Sequence, residues 1–158
     1  MTDTQSSSEF RALTRRLYEV VSAAPADRNW ESIRELYHPR ATMVRTGMDE
    51  DGRPFVLAMT FDEYIDNVAE LLENTEFSET EVHQEVTEFG NIARLVSVYE
   101  YQSRSPDAQR HGRGVNFFNL VNEGGGWKIM NIVWDNEREG LTLSAAGLLD
   151  PGADSGEG

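Results

Sequence analysis

The sequence predicts an α+β fold, with helices gathered on one side of an antiparallel sheet. Three observations carry this. Apolar residues recur at helical spacing in the first half, as in Phe10, Leu13, Leu17, Val20 and Val21. From about residue 80 the pattern changes to alternation. Glycine turns at Gly90-Asn91 and at Glu123 to Gly126 then divide the second half into strands that pair as hairpins.

The elements follow in order. Residues 1 to 7 are polar and are expected to be flexible. The first helix is expected from Ser6, which has capping-box spacing to Glu9, and Pro25 ends it. Asp27 or Asn29 can cap a second, short helix carrying Trp30, Ile33, Leu36 and Tyr37. His38-Pro39 closes it, because a residue before proline avoids the helical region. Residues 41 to 46 read as a strand, Asp51-Gly52 as a turn and PFVLAM as a second strand. Thr60 caps a third helix with Glu63 at the box position. Phe61, Tyr64, Ile65, Val68, Leu71 and Leu72 form its buried stripe. Long strands are expected over 80–89, 92–103, 112–122 and 127–137. The domain therefore spans residues 8–138. Residues 139–158 form an acidic, glycine-rich tail, expected to be disordered towards its end.

Composition narrows the function classes. A chain of 158 residues suits one domain with a proper core. It has no cysteine, so disulfides, thiolate metal sites and cysteine nucleophiles are excluded. Apolar runs are too short to span a membrane, and the N-terminus lacks the pattern of a secretory signal, so a cytoplasmic location is expected. The net charge of −14 repels phosphate backbones and argues against nucleic-acid binding. Acidic runs such as EFSETEVHQE read as solvated faces.

Strand pairing assigns side chains to faces. Counting outward from Gly90-Asn91 sets Gln84 opposite Ser97 and Val82 opposite Tyr99. The charges Arg94, Glu85, His83, Glu81 and Glu100 then fall on the other face. Burying unpaired charge is costly, so the face with Gln84, Ser97, Tyr99 and Tyr101 points inward. A four-residue turn at Glu123 to Gly126 places Asn116, Phe118, Asn131 and Asp135 inward. Phe117, Met130, Ile132 and Trp134 then form an apolar outer face, read as a homodimer interface. A three-residue turn would invert these assignments.

The chain resembles the nuclear transport factor 2-like superfamily. The order of elements is similar, as are LYHPRATM after the second helix, the helix start MTFDEYI, and GGWKIMNI in the last hairpin. The resemblance covers roughly residues 9 to 138, and small bacterial members without an assigned role look most similar. It implies a cone of strongly curved sheet closed by helices, with an apolar pocket inside and dimers through the outer sheet face. Some members are isomerases, dehydratases or polyketide cyclases; many others bind ligands or proteins. The fold leaves function open.

Candidate chemistry is sparse. Asp135 is the candidate acid or base, since an apolar cavity would raise its pKa; a solvated place beside Arg113 or Arg138 is the competing reading. Glu88 adjoins a turn, His83 lies on the charged face, His38 ends a helix and His111 falls in a loop. The histidines are never at i, i+4 spacing, so no metal is expected, and no cofactor fingerprint is present. Trp30, Tyr64, Tyr99 and Phe118 can wall a cavity or serve as ordinary core. Gln84, Ser97, Tyr99, Asn116 and Asn131 can orient a ligand or satisfy one another. The expected function is binding of a small, mostly apolar ligand. The alternatives are an isomerase, dehydratase or cyclase using Asp135, and a structural dimer or adaptor without an open pocket.

Overall fold

The computed structural model describes residues 3–152, with side chains from Ser8 onward. Helix α1 spans Asp3–Ser22, so it begins before the expected Ser6; the Ser6–Glu9 capping box lies outside the described side chains. Phe10, Leu13, Thr14, Tyr18 and Val21 are its buried residues. Thr14 and Tyr18 follow Phe10 at four-residue steps, and so place polar atoms inside an apolar stripe. A turn of 3-10 helix at Pro25–Asp27 follows, then a second 3-10 stretch over Trp30–Leu36. Strand β1, Tyr37–Met48, starts directly after it, four residues earlier than residues 41 to 46 suggested. Strand β2 is Pro54–Met59 and helix α2 is Phe61–Leu72, with the Thr60–Glu63 capping box formed in both directions.

The remaining strands are β3 (Glu76–Phe89), β4 (Ile92–Arg104), β5 (Gln109–Asn122) and β6 (Trp127–Asn136). They join one open six-stranded sheet in the order β2-β1-β6-β5-β4-β3. The sheet is mixed rather than antiparallel throughout, because β1 runs parallel to β6. The helical crossover between them makes this possible: α2 and the long β3–β5 meander separate β1 from β6 in sequence. His111 lies on β5, paired with Gln102, and not in a loop.

Two register shifts decide which residues face the core. The β3–β4 pairing runs as expected from Phe89↔Ile92 to His83↔Val98. A bulge then places Glu81, not Val82, opposite Tyr99, and Glu79 opposite Tyr101. The β5–β6 pairing runs as expected from Asn122↔Trp127 to Leu120↔Ile129. A second bulge then sets Asn119 opposite Asn131, Phe118 opposite Ile132 and Asn116 opposite Trp134. One extra residue inverts every side chain beyond it. Glu79 and Glu81 therefore turn inward, as do Ile132 and Trp134, whereas Asn131 and Asp135 turn outward.

The core lies between the helices and the concave sheet face, around Phe10, Ile33, Met43, Leu95, Phe118 and Ile129. Each such side chain contributes about 2–3 kcal/mol by leaving water. Arg28 joins the ends of both helices: its guanidinium donates to the carbonyls of Val21 at 3.1 Å, Leu72 at 2.8 Å and Thr75 at 3.0 Å. Val21 and Leu72 lie in the last turns of α1 and α2, whose carbonyls lack intrahelical partners, and Thr75 lies just beyond α2. The described part of the C-terminal segment is held on the sheet. Leu143 is buried against Val98 and Val115 on the convex face, with Leu148 and Leu149 beside them. No helix among the described residues is long and apolar enough to cross a membrane.

Candidate functional site

Between α1, α2 and the concave face lies an open cavity of about 450 Å³. Leu17 and Val21 of α1, Val68 and Leu71 of α2, and Ile132 and Trp134 of β6 supply apolar wall. Tyr18, Tyr37, Tyr64, Tyr99, Tyr101 and Phe118 supply rings. The polar lining is Glu79, Asn67, Asn116 and Asn136, with Arg45 and Arg110 also present.

Glu79 belongs to the acidic run EFSETEVHQE, expected as a solvated face, yet it lines the cavity. Its backbone is fixed by Ser22 at the end of α1, whose Oγ accepts from the Glu79 N–H at 2.9 Å and donates to the Glu79 carbonyl at 3.2 Å. This satisfies an edge strand that would otherwise lack a partner on that side. No hydrogen bond or ion pair among the described residues engages the carboxyl. Burial alone pushes its pKa up to about 8, so it is mostly protonated at neutral pH. Burial likewise raises the Tyr18, Tyr64 and Tyr99 phenols, and proximity to the Glu79 charge adds to each shift. Asn67 Oδ1, also in the cavity wall, is buried without a partner.

Glu81 differs. Ser97 donates to its Oε2 in a short hydrogen bond, and Gln84 Nε2 donates to the same oxygen at 3.1 Å. The Thr14 hydroxyl lies 3.3 Å from its Oε1. Because the Ser97 proton is used on Glu81, Tyr18 donates to Ser97 Oγ at 2.7 Å, and Asn116 Nδ2 donates to the Tyr18 oxygen at 3.0 Å. The chain Asn116–Tyr18–Ser97–Glu81 thus has one direction. A second anchor is the Tyr99 hydroxyl, which donates to Asn136 Oδ1 at 2.6 Å. Gly114 lies between these two strands' residues, where an added Cβ would fall 2.3 Å from the Tyr99 oxygen. The bare backbone is what lets the phenol reach across.

Of the expected site residues, Tyr64, Tyr99, Asn116 and Phe118 line the cavity. Gln84 and Ser97 face inward but belong to the Glu81 network: Gln84 Nε2 donates to Thr14 and Glu81, and Ser97 donates to Glu81, while Gln84 Oε1 is buried without a partner among the described residues. Trp30 packs edge-on against Tyr64, with ring centres 6.4 Å apart, and does not line the cavity. Asn131 is on the outer face, where it donates to Thr42 Oγ1 at 2.8 Å and accepts from Asn119 at 3.4 Å. Asp135 is also outside, opposite Val115. Burial raises its pKa, but hydrogen bonds from Arg138 and the Asn136 N–H outweigh this and hold it below the usual value. An ionised carboxylate outside the cavity is not placed to act as its base. Ile132 and Trp134, expected on a dimer face, are cavity residues; Phe117 remains outside, 43% exposed. His83 pairs with Glu85 on the surface, and His38 with Glu123.

Tyr18, Asn67, Glu79 and Asn136 are among the cavity residues that sequence reasoning missed. Tyr18 had a signal in its spacing from Phe10. Glu79 had one in parity: Phe77 and Val86 are both apolar yet nine residues apart, which no unbroken alternation puts on one face.

Comparison with solved structures agrees on the architecture. A proposed dehydratase of the NTF2-like family from Streptomyces avermitilis superposes with a TM-score of 0.66 at 15% identity, covering 87% of this chain and 99% of that one. The β subunit of a proposed aromatic-ring-hydroxylating dioxygenase from Novosphingobium aromaticivorans gives 0.67 at 13% identity, covering 85% and 91%. A protein of cystatin-like fold from Caulobacter vibrioides gives 0.62 at 15%, covering 95% and 99%. No protein-family model matches the sequence, and no curated protein matches it. The chain has the nuclear transport factor 2-like fold, an α+β cone around a cavity.

Proposed function

We propose that the protein binds a small, mainly apolar molecule in this cavity. One observation carries the reading: among the described residues nothing pairs with the Glu79 carboxyl or with the buried Asn67 Oδ1, and both line one largely apolar cavity. Native proteins rarely leave such groups unsatisfied, so a ligand is the natural partner. A volume of about 450 Å³ lies within the range of ligand pockets. A thermal-shift screen of steroids, polyketides and aromatic compounds tests this. A binder at a hundred times its Kd should stabilise the native state by about 2.7 kcal/mol and raise the Tm measurably. A screen in which nothing moves the Tm counts against the pocket.

A second reading, an isomerase, dehydratase or cyclase, is favoured by Glu79 and no longer by Asp135. A carboxyl that titrates near working pH is suited to proton transfer. Under this reading Glu79→Gln abolishes turnover while ligand binding survives; retained turnover would remove Glu79 as the acid or base. The adaptor without a pocket fits least well with an open cavity. A homodimer would now rest on Phe117, beside Val96 and Val133 on the outer face. Light scattering of Phe117→Glu measures it, and an unchanged mass takes Phe117 out of any interface.

A further inference from the structure

We propose that the cavity's ligand is an amine carried as its ammonium ion on an apolar body, with the N–H groups directed at Glu79 and the neighbouring phenol oxygens. This rests on the pocket reading and specifies its ligand.

The lining is rich in acceptors. Tyr99 has given its proton to Asn136 and keeps its oxygen lone pairs, whereas Tyr18 has given its proton to Ser97 and already accepts from Asn116, which leaves it one. Asn67 Oδ1 is a third acceptor, without a partner. Glu79 completes the set, and an ammonium group, with several N–H donors and no acceptor, is its complement.

The charge balance points the same way. The groups facing Glu79 are the phenols of Tyr18 from α1, Tyr64 from α2, and Tyr99 and Tyr101 from β4, with Glu81 further along its own strand. Arg11 and Arg15 of α1, with Glu19 and His83, border a separate open groove that Glu79 also touches. None of these cations lowers the Glu79 pKa, which burial alone sets. Arg45 of β1 lies over the Phe55 ring, 5.7 Å from its centre, Arg110 of β5 is exposed, and Arg28 is used on three carbonyls. Arg45 and Arg110 line the same cavity yet neither lowers the Glu79 pKa, so the counter-charge for ionised Glu79 is the ligand's to supply. Aromatic faces add attraction for a cation: Tyr18 and Tyr99 lie 6.2 Å apart, Tyr99 and Tyr101 6.5 Å, and Phe77 and Tyr101 6.1 Å, one wall of rings.

Binding of an ammonium ion requires Glu79 ionised, so it releases a proton. The test is calorimetry at pH 6, 7 and 8, in buffers of differing ionisation heat, with 2-phenylethylammonium, neutral 2-phenylethanol and anionic 3-phenylpropionate. The expected result is that the ammonium probe binds best, with affinity rising about tenfold from pH 6 to 7 and flattening above 8, and with close to one proton released at pH 6. Glu79→Gln, checked for folding by circular dichroism, should weaken it more than tenfold at pH 8 and remove the pH dependence. Equal or tighter binding of 2-phenylethanol or 3-phenylpropionate at pH 8, or a flat pH profile for the amine, overturns the proposal while leaving the pocket standing. If none of the three binds and the broader screen is also silent, both readings fall.

Discussion

Glu79 and Glu81 stand two residues apart on one face of one strand, yet their surroundings are opposite. Glu81 receives hydrogen bonds from Ser97 and Gln84, with Thr14 alongside, and ties α1 to the sheet. Glu79 has its backbone held by Ser22 and its carboxyl met by no partner among the described residues. Inward carboxyls in this fold divide by their donors. Where the protein supplies the donors, the group stabilises the fold. Where it does not, the group is left for something else to meet.

The contrast is lost most completely if the strand's parity is shifted between the two carboxyls. Deleting Thr80 should move Glu79 to the outward place opposite Glu100 and turn Phe77 outward with it, with a loss of about 4 kcal/mol or failure to fold in urea titration. An unchanged midpoint would mean the strand simply slides and keeps both carboxyls inside.

Glu79→Gln should act next most strongly, and with a sign set by pH. The folded pKa of about 8 is above the ordinary 4.5. The native state therefore keeps its full stability below pH 4.5 and loses it progressively as pH rises through 8. The glutamine variant lacks that loss, so at pH 8.5 it should be the more stable protein, by on the order of 3 kcal/mol. The two should converge near pH 4. Parallel stability curves across this range would show that Glu79 is ordinarily solvated.

Glu81→Ala should do the reverse, costing about 2 kcal/mol at neutral pH because Ser97 and Gln84 lose their acceptor. A stability change within ±0.5 kcal/mol, the usual surface effect, would erase the contrast between the two carboxyls. The smallest effect expected is that of Tyr99→Phe, about 1 kcal/mol from the lost bond to Asn136. Amine binding should weaken in the same variant, since an acceptor leaves the cavity. A variant that loses stability but binds as before would restrict Tyr99 to a structural role.

Much of the architecture was legible in local patterns. The third helix announced itself through Thr60, Glu63 and its apolar stripe, and the structure forms that box. The pairings next to both turns were countable from Gly90-Asn91 and from Glu123 to Gly126. The site was less legible, since Asn131 and Asp135 were assigned by carrying the same count past a bulge. Even so, the sequence held a warning: Trp127 and Ile129 have one parity, Ile132 and Trp134 the other, and all four are apolar.

The class of fold, the element order and the near-turn registers follow from periodicity and turn chemistry within a few residues, and so could be read along the chain. That β1 joins β6 in parallel, that Glu79 faces a cavity, and that Glu81 is met by donors from three other positions emerge only once distant elements pack together. The reason is physical. A single extra residue in a strand reverses which side chains the core must accommodate, and where that residue is absorbed is settled by packing between elements distant in sequence.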